Sequence, residues 1–237
     1  MNVTLLRRTS LALVLSAASA SAQQAAPAAS GTDHSAVVGH WGATWFAPVT
    51  LATLNGEAQN ANQIITGASV TPIGARYWAN AGMGYDLGVG ILFAGGSSEV
   101  KSGGTTTTTD APSAFGLVLH GGVPFALSTG KHYSFLVIPE ANIGFASSSV
   151  KQGNTDISVS GFHLDLGARA GAEVHFGFID LPQLSLQASV GAALAFDRAG
   201  QKVGDNEASR SGTAFGTTVQ NEPWSIFRSN VAAIYYF

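Results

Sequence analysis

The sequence predicts an all-β protein, a closed antiparallel up-and-down transmembrane β-barrel of about eight strands, with ten as the alternative. Three observations predict it. Apolar and polar residues alternate with period two along most of the chain, which places them on opposite faces of a strand and would scramble them around a helix. Only 11% of the 237 residues are charged, while 46% are hydrophobic; a globular domain usually carries about 25% charged residues. No apolar run beyond the first 22 residues approaches the roughly 18 needed for a spanning helix. In lipid only helices and closed barrels satisfy every backbone N–H and C=O.

Residues 1–22 read as a secretory signal peptide. Arg7 and Arg8 form a basic start, Leu11 to Ala18 is a short apolar run, and Ala20-Ser21-Ala22 is a small-residue cleavage signature before Gln23. Residues 23–35, rich in Ala, Pro, Ser and Gln, read as a flexible lead-in. The barrel is assigned to 36–237. Lys and Arg number 11 against 14 Asp and Glu, and cleavage removes two of the arginines. That mildly acidic balance, with no basic run, argues against nucleic acid as a partner. The chain has no cysteine, so it has no disulfide, thiolate metal site or cysteine nucleophile.

The eight predicted strands run over 36–48, 63–79, 83–97, 113–127, 131–147, 158–178, 183–198 and 224–237. The sixth is the clearest. Phe162, Leu164, Leu166, Ala168, Ala170, Ala172, Val174 and Phe176 form one face, and His163, Asp165, Arg169, Glu173 and His175 share the other with glycines. Short connections at 80–82, 128–130 and 180–182 alternate with longer ones at 49–62, 98–112, 148–157 and 199–223. The longer ones are expected to be polar, flexible surface loops; one holds Ser102-Gly103-Gly104 and five threonines. Short turns at one end and long loops at the other fit an outer-membrane barrel with both chain ends periplasmic. Ten strands would result if 63–79 divides at Pro72 or if 207–219 pairs. Pro139, on the apolar stripe of the fifth strand, removes one ladder donor.

The uncharged stripe is assigned to lipid and the stripe of glycines and ionisable groups to the lumen. A water-washed exterior would carry Lys, Glu and Asn instead. Aromatic residues gather at both strand ends, as two interfacial girdles would. Tyr77, Trp78, Tyr85, Phe125, Tyr133, Phe176, Phe178, Tyr235 and Phe237 lie toward the short turns. Trp45, Phe46, Phe93, Phe115, Phe145, Phe162, Phe196 and Phe227 lie toward the long loops.

The last strand ends in Val231-Ala-Ala-Ile-Tyr235-Tyr-Phe237, with Tyr235 and Phe237 on the apolar face. This terminus resembles the C-terminal assembly signal of small bacterial outer-membrane β-barrels, those similar to OmpA, OmpX and OmpW and their uncharacterised relatives. The resemblance implies a Gram-negative outer-membrane location, contact with outer-membrane lipid, and recognition of Tyr235 and Phe237 by the barrel-assembly machinery. It implies no activity.

The predicted lumen residues are Arg76, Asp86, His120, Glu140, His163, Asp165, Arg169, Glu173, His175 and Arg228. Eight strands enclose a space that side chains just fill, and buried charges must pair. The expected role is therefore a plugged barrel, structural or surface-interacting through its loops, whose extracellular partner no motif names. The alternative is a narrow, OmpW-like channel for small or hydrophobic solutes. A third, remote reading is a lipid A-modifying hydrolase: His132, Ser134 and Glu140 share a face and resemble the lipid A 3-O-deacylase pattern, although Phe135 and Leu136 depart from it. Residue types alone fit a serine–histidine–carboxylate relay. No cofactor motif is found. His163 and His175, about 40 Å apart along one strand, are too distant to share a metal.

Overall fold

The computed structural model describes residues 31–54, 65–217 and 231–237. The signal segment, Phe227 and Arg228 lie outside these residues. The elements are α1 (Asp33–Val37), β1 (Trp41–Trp45), β2 (Val49–Leu54), β3 (Ile65–Val70), β4 (Ile73–Asn80), β5 (Met83–Ser102) and β6 (Thr105–Gly122). They continue with β7 (Phe125–Thr129), β8 (Tyr133–Gln152), β9 (Thr155–Phe176), β10 (Leu181–Val203), β11 (Asn206–Thr217) and β12 (Val231–Tyr236).

The wall is a closed antiparallel ring of eight positions, β1, β4, β5, β6 with β7, β8, β9, β10, and finally β11 with β12. The ring closes where β12 meets β1, pairing Tyr236 with Gly42 and Tyr235 with Ala43. The N–H of Phe237 extends this seam onto the Trp41 carbonyl at 2.8 Å. Gly42 is needed here, because a Cβ would sit 2.7 Å from both Ile234 and the Tyr236 ring. The β6–β7 wall position is interrupted between its two strands. There Val123 and Pro124 oppose Ile138 and Pro139, and two prolines remove two ladder donors. The remaining Val123 N–H reaches the Pro139 carbonyl at 2.9 Å.

Both routes to a ten-strand count are present, yet the wall keeps eight positions. The 63–79 segment divides around Pro72, but β3 leaves the wall and pairs with β2. The 207–219 segment pairs as β11, along the upper half of β10, while β12 pairs the lower half of the same strand.

Three expected loops are instead continuous hairpins. β5–β6 runs to Ser102 opposite Thr105, β8–β9 to Gln152 opposite Thr155, and β10–β11 to Val203 opposite Asn206. The threonine run is strand, facing Ser98 to Ser102. Here both faces are exposed and, Val100 apart, polar, so the apolar alternation disappears while β-branched Thr still favours extended backbone. Gly103 and Gly104, at φ +56° and +83°, make the first of these turns.

The connection expected at 49–62 is the largest departure. β2 and β3 form a separate hairpin inside the barrel. Leu51 lies against the inner faces of Gly116 on β6 and Gly144 on β8, Ala52 against Gly161 on β9, and Val70 against Gly90 on β5. A side chain at any of these glycines would strike the hairpin. Leu51, Val49 and Val70 bury with wall residues Val118 and Ala146 in one apolar cluster. These four luminal glycines thus make room for a second layer of backbone, while Gly191 makes room for the Arg169 side chain.

The lead-in also becomes structure from Thr32 onward. Its hydroxyl caps α1 by accepting from the Ser35 N–H at 3.2 Å. Val37 is fully buried with Trp78, Leu136, Ile138, Ile234 and Tyr236 at the end of the barrel that holds both termini. Trp78 and Phe46, expected in the outer girdles, point inward instead. Trp78 belongs to this terminal cluster, and Phe46 stacks on His120 with ring centroids 3.9 Å apart.

Candidate functional site

The interior holds one polar layer at the terminal end and a second that climbs to the opposite mouth. Arg76 and Asp86 are directly paired on β4 and β5, with Arg76 pointing into the lumen and reaching across it. Its Nε and Nη2 donate to both Asp86 oxygens at 2.7 Å, a bidentate fork. Its Nη1 donates to Glu173 Oε2 at 3.0 Å and Gln187 Oε1 at 2.6 Å, on the far wall. Glu173 Oε1 accepts from Ser185 at 2.6 Å and from the Tyr236 hydroxyl at 2.8 Å. Tyr236 in turn accepts from the Trp78 indole N–H at 2.9 Å. Arg76, Asp86 and Glu173 are at most 2% exposed. His175 directs Nδ1 at the Pro182 carbonyl, 3.3 Å away, and Nε2 toward Glu173 at 3.6 Å.

The second layer begins at Arg169, whose Nε and Nη2 both reach Glu140 Oε2 at 2.7 Å and whose Nη1 donates to Ser189 at 3.1 Å. Beside it a chain of side chains runs around the wall. His120 Nδ1 bonds Asn142 Oδ1, and Asn142 Nδ2 donates to Asp165, each at 2.8 Å. Asp165 meets His163 Nε2 at 2.9 Å, and His163 Nδ1 meets Asp197 at 2.7 Å. Asp197 opens onto a cavity of about 460 Å³ at the barrel mouth, bordered by Thr50 and Gly67 of the inner hairpin and by Arg210. Both His163 nitrogens are engaged by carboxylates. Among the described residues no group of three or more His, Asp or Glu side chains is arranged to hold a metal ion.

Nine of the ten residues named as luminal thus fall into these two layers, and Arg228 lies outside the described residues. The lumen is not polar throughout, however. Leu136, Ile138 and Val118 also point inward and are buried. Phe135 to Ile138 is an unbroken apolar run, the pattern of a strand covered on both sides, and it carries this signal in the sequence. Asn142, Ser185, Gln187 and Asp197 complete the layers. They share the inward stripe with the named residues and differ from them only in being uncharged or near a strand end.

His132, Ser134 and Glu140 do not form a relay. His132 sits at a turn and bonds Asp33 at 2.7 Å. Glu140 is taken by Arg169, and Ser134 is sealed beside Glu173 across the β8–β9 ladder.

The terminal end is closed by α1, which ties all three short turns together. His34 Nε2 bonds the Ala81 carbonyl at 3.0 Å. The Asp33 N–H donates to the Lys131 carbonyl at 2.9 Å, and the Asp33 carboxylate bonds His132. The same carboxylate accepts the Gly177 N–H at 3.0 Å, in a notch that a Cβ on Gly177 would fill. Burial holds the His34 pKa below the ordinary histidine value, and this outweighs the attraction of Glu173.

No protein-family profile matches the chain, and no curated protein matches it. Among solved structures it is similar to a major outer membrane protein from Thermus thermophilus, with a TM-score of 0.36 and 13% identity, over 84% of this chain and 98% of that one.

Proposed function

We propose that the protein is an exported outer-membrane β-barrel with a closed lumen, serving a structural or surface-interaction role through its three projecting hairpins. One observation carries the closed reading. The interior is occupied at three successive levels: the α1 cap with its apolar cluster, the Arg76–Asp86–Glu173 layer, and the β2–β3 hairpin against the glycine stripe.

The outward face supports the lipid reading. Leu87, Val89, Ile91, Leu119, Leu166, Val190 and Leu194 are exposed on it. Phe93, Phe115, Phe145, Phe162 and Phe196 form a row on five wall strands, with neighbouring centroids at 5.3, 5.4 and 6.2 Å. From this row, eight residues on β5 reach Tyr85 and twelve on β9 reach Val174. At roughly 3.3 Å per residue and a tilt near 40° these span about 20–30 Å, matching an outer-membrane apolar band. A soluble barrel would expose this area at a prohibitive cost. The exposed Tyr235 and Phe237 at the seam fit an assembly signal read from the lipid side.

Purified protein in planar bilayers is expected to give no stable conductance steps. Regular steps would replace the closed reading with the narrow-channel one. Orientation has its own test. A tag at Gly104, on the β5–β6 tip, is expected to be labelled on intact cells, and one at Gly130 to be shielded until the outer membrane is permeabilised. Labelling of Gly130 alone would invert the assignment of both termini to the periplasm.

A further inference from the structure

The α1 cap carries a feature that lumen closure alone does not require. A short apolar segment would seal the barrel end, yet its most buried polar side chain is a histidine. His34 is 1% exposed, packed edge-on against Trp78 at 4.4 Å and 6.0 Å from the His175 ring. A carbonyl only accepts, so Nε2 must carry the hydrogen given to Ala81. The other nitrogen, Nδ1, is buried with no hydrogen-bond partner among the described residues.

A second proton on His34 would have to sit on that nitrogen. The surroundings do not receive it well. Across from His34 lie Glu173 and His175 on β9, Arg76 on β4 and Tyr236 on β12. Glu173 is the one carboxylate in that set, and both of its oxygens are already taken, Oε2 by Arg76 and Oε1 by Ser185 and Tyr236. Arg76 and His175 oppose a new cation. Asp33, on the same helix, is turned away toward His132 and Gly177. The helix has only five residues, and besides Val37 and the Asp33 contacts it is held by the His34–Ala81 bond and, just past its end, by the Gly39 N–H on the Trp78 carbonyl at 2.8 Å.

We infer that α1 is an acid-released cap: protonation of His34 drives the helix out of the barrel end and opens the Glu173–Arg76 layer to water. The sign follows from burial. Docked His34 is held below its ordinary pKa and undocked His34 returns to about 6.5. Docking is therefore strongest above that value and weakens as pH falls below it, by at most about tenfold at pH 5.5.

The absence of cysteine makes the test direct. Val37→Cys places a single thiol in the buried cap, and Ala36→Cys places one on the exposed side of the same helix. The ratio of their labelling rates with a methanethiosulfonate reagent cancels the pH dependence of the thiol itself. Heat-modifiable gel migration at each pH establishes that the barrel stays closed. The ratio is expected to rise, by at most about tenfold, between pH 7.5 and pH 5.5, and to stay level when His34→Gln or the cavity-filling His34→Met is added. No rise in the parent, or an equal rise in both variants, would overturn the inference. Neither result bears on whether the lumen conducts.

Discussion

Replacing Arg76 by leucine is expected to lower the stability of the folded barrel by about 3–5 kcal/mol, measured as a shift in the urea midpoint in lipid vesicles. Among the described residues the guanidinium is the single cation bonded to both Asp86 and Glu173. Removing it strands two carboxylates in a layer that water does not reach, and the cost is theirs rather than that of a lost contact. Arg76→Lys should recover only part of the loss, because an ammonium keeps the charge without the fork that spans from β5 to β9. Adding Asp86→Leu to Arg76→Leu should restore part of the stability, since one of the two stranded charges goes with it while Glu173 stays unpaired. A double variant as unstable as the sum of the two singles would show that the layer is not coupled.

Arginine at Leu166 is expected to cost about 2–4 kcal/mol of insertion stability, as at a bilayer midplane. Leu166 is 52% exposed on the outward face, between Ala141 and Leu194 on the neighbouring strands and well below the phenylalanine row. The adjacent Gly167 separates lipid exposure from crowding. A Cβ there would lie 2.7 Å from the Ala192 carbonyl and 2.9 Å from the Ala193 side chain. Alanine at 167 should therefore already disturb the wall, while alanine at 166 should be mild. Urea titrations of these variants in vesicles decide it. An arginine at 166 that leaves stability unchanged would mean that this face meets water.

Much of the wall was legible because the outward face of the strands follows a simple rule, the one that the proposed lipid contact would impose. Along the band the outward stripe is apolar, so Leu166, Val174, Leu186 and Leu194 announce their own direction. The ends of the strands were not legible by the same signal. Where β5–β6 and β10–β11 leave the band, both faces are polar, and Thr105 to Thr109 looks like a loop although it is a ladder. The candidate site divides in the same way. Arg76, Asp86 and Glu173 betray themselves as charges on an inward stripe. Their partners Ser185, Gln187 and Tyr236 do not, because nothing in a linear pattern says that Arg76 spans the lumen to reach them.

Local alternation was enough to read a period-two wall with an apolar exterior, its closure through the strand ending at Tyr235 and Phe237, and an inward stripe of charged side chains, but not the inward turn of Trp78 and Phe46. What fills the barrel follows from contacts between distant segments. β2 and β3 fold back against Gly90, Gly116, Gly144 and Gly161, and His34 docks on Ala81 beneath Trp78. Those contacts join segments tens of residues apart through shape and hydrogen bonding. The glycines that permit them record only a missing side chain, not the segment that takes its place.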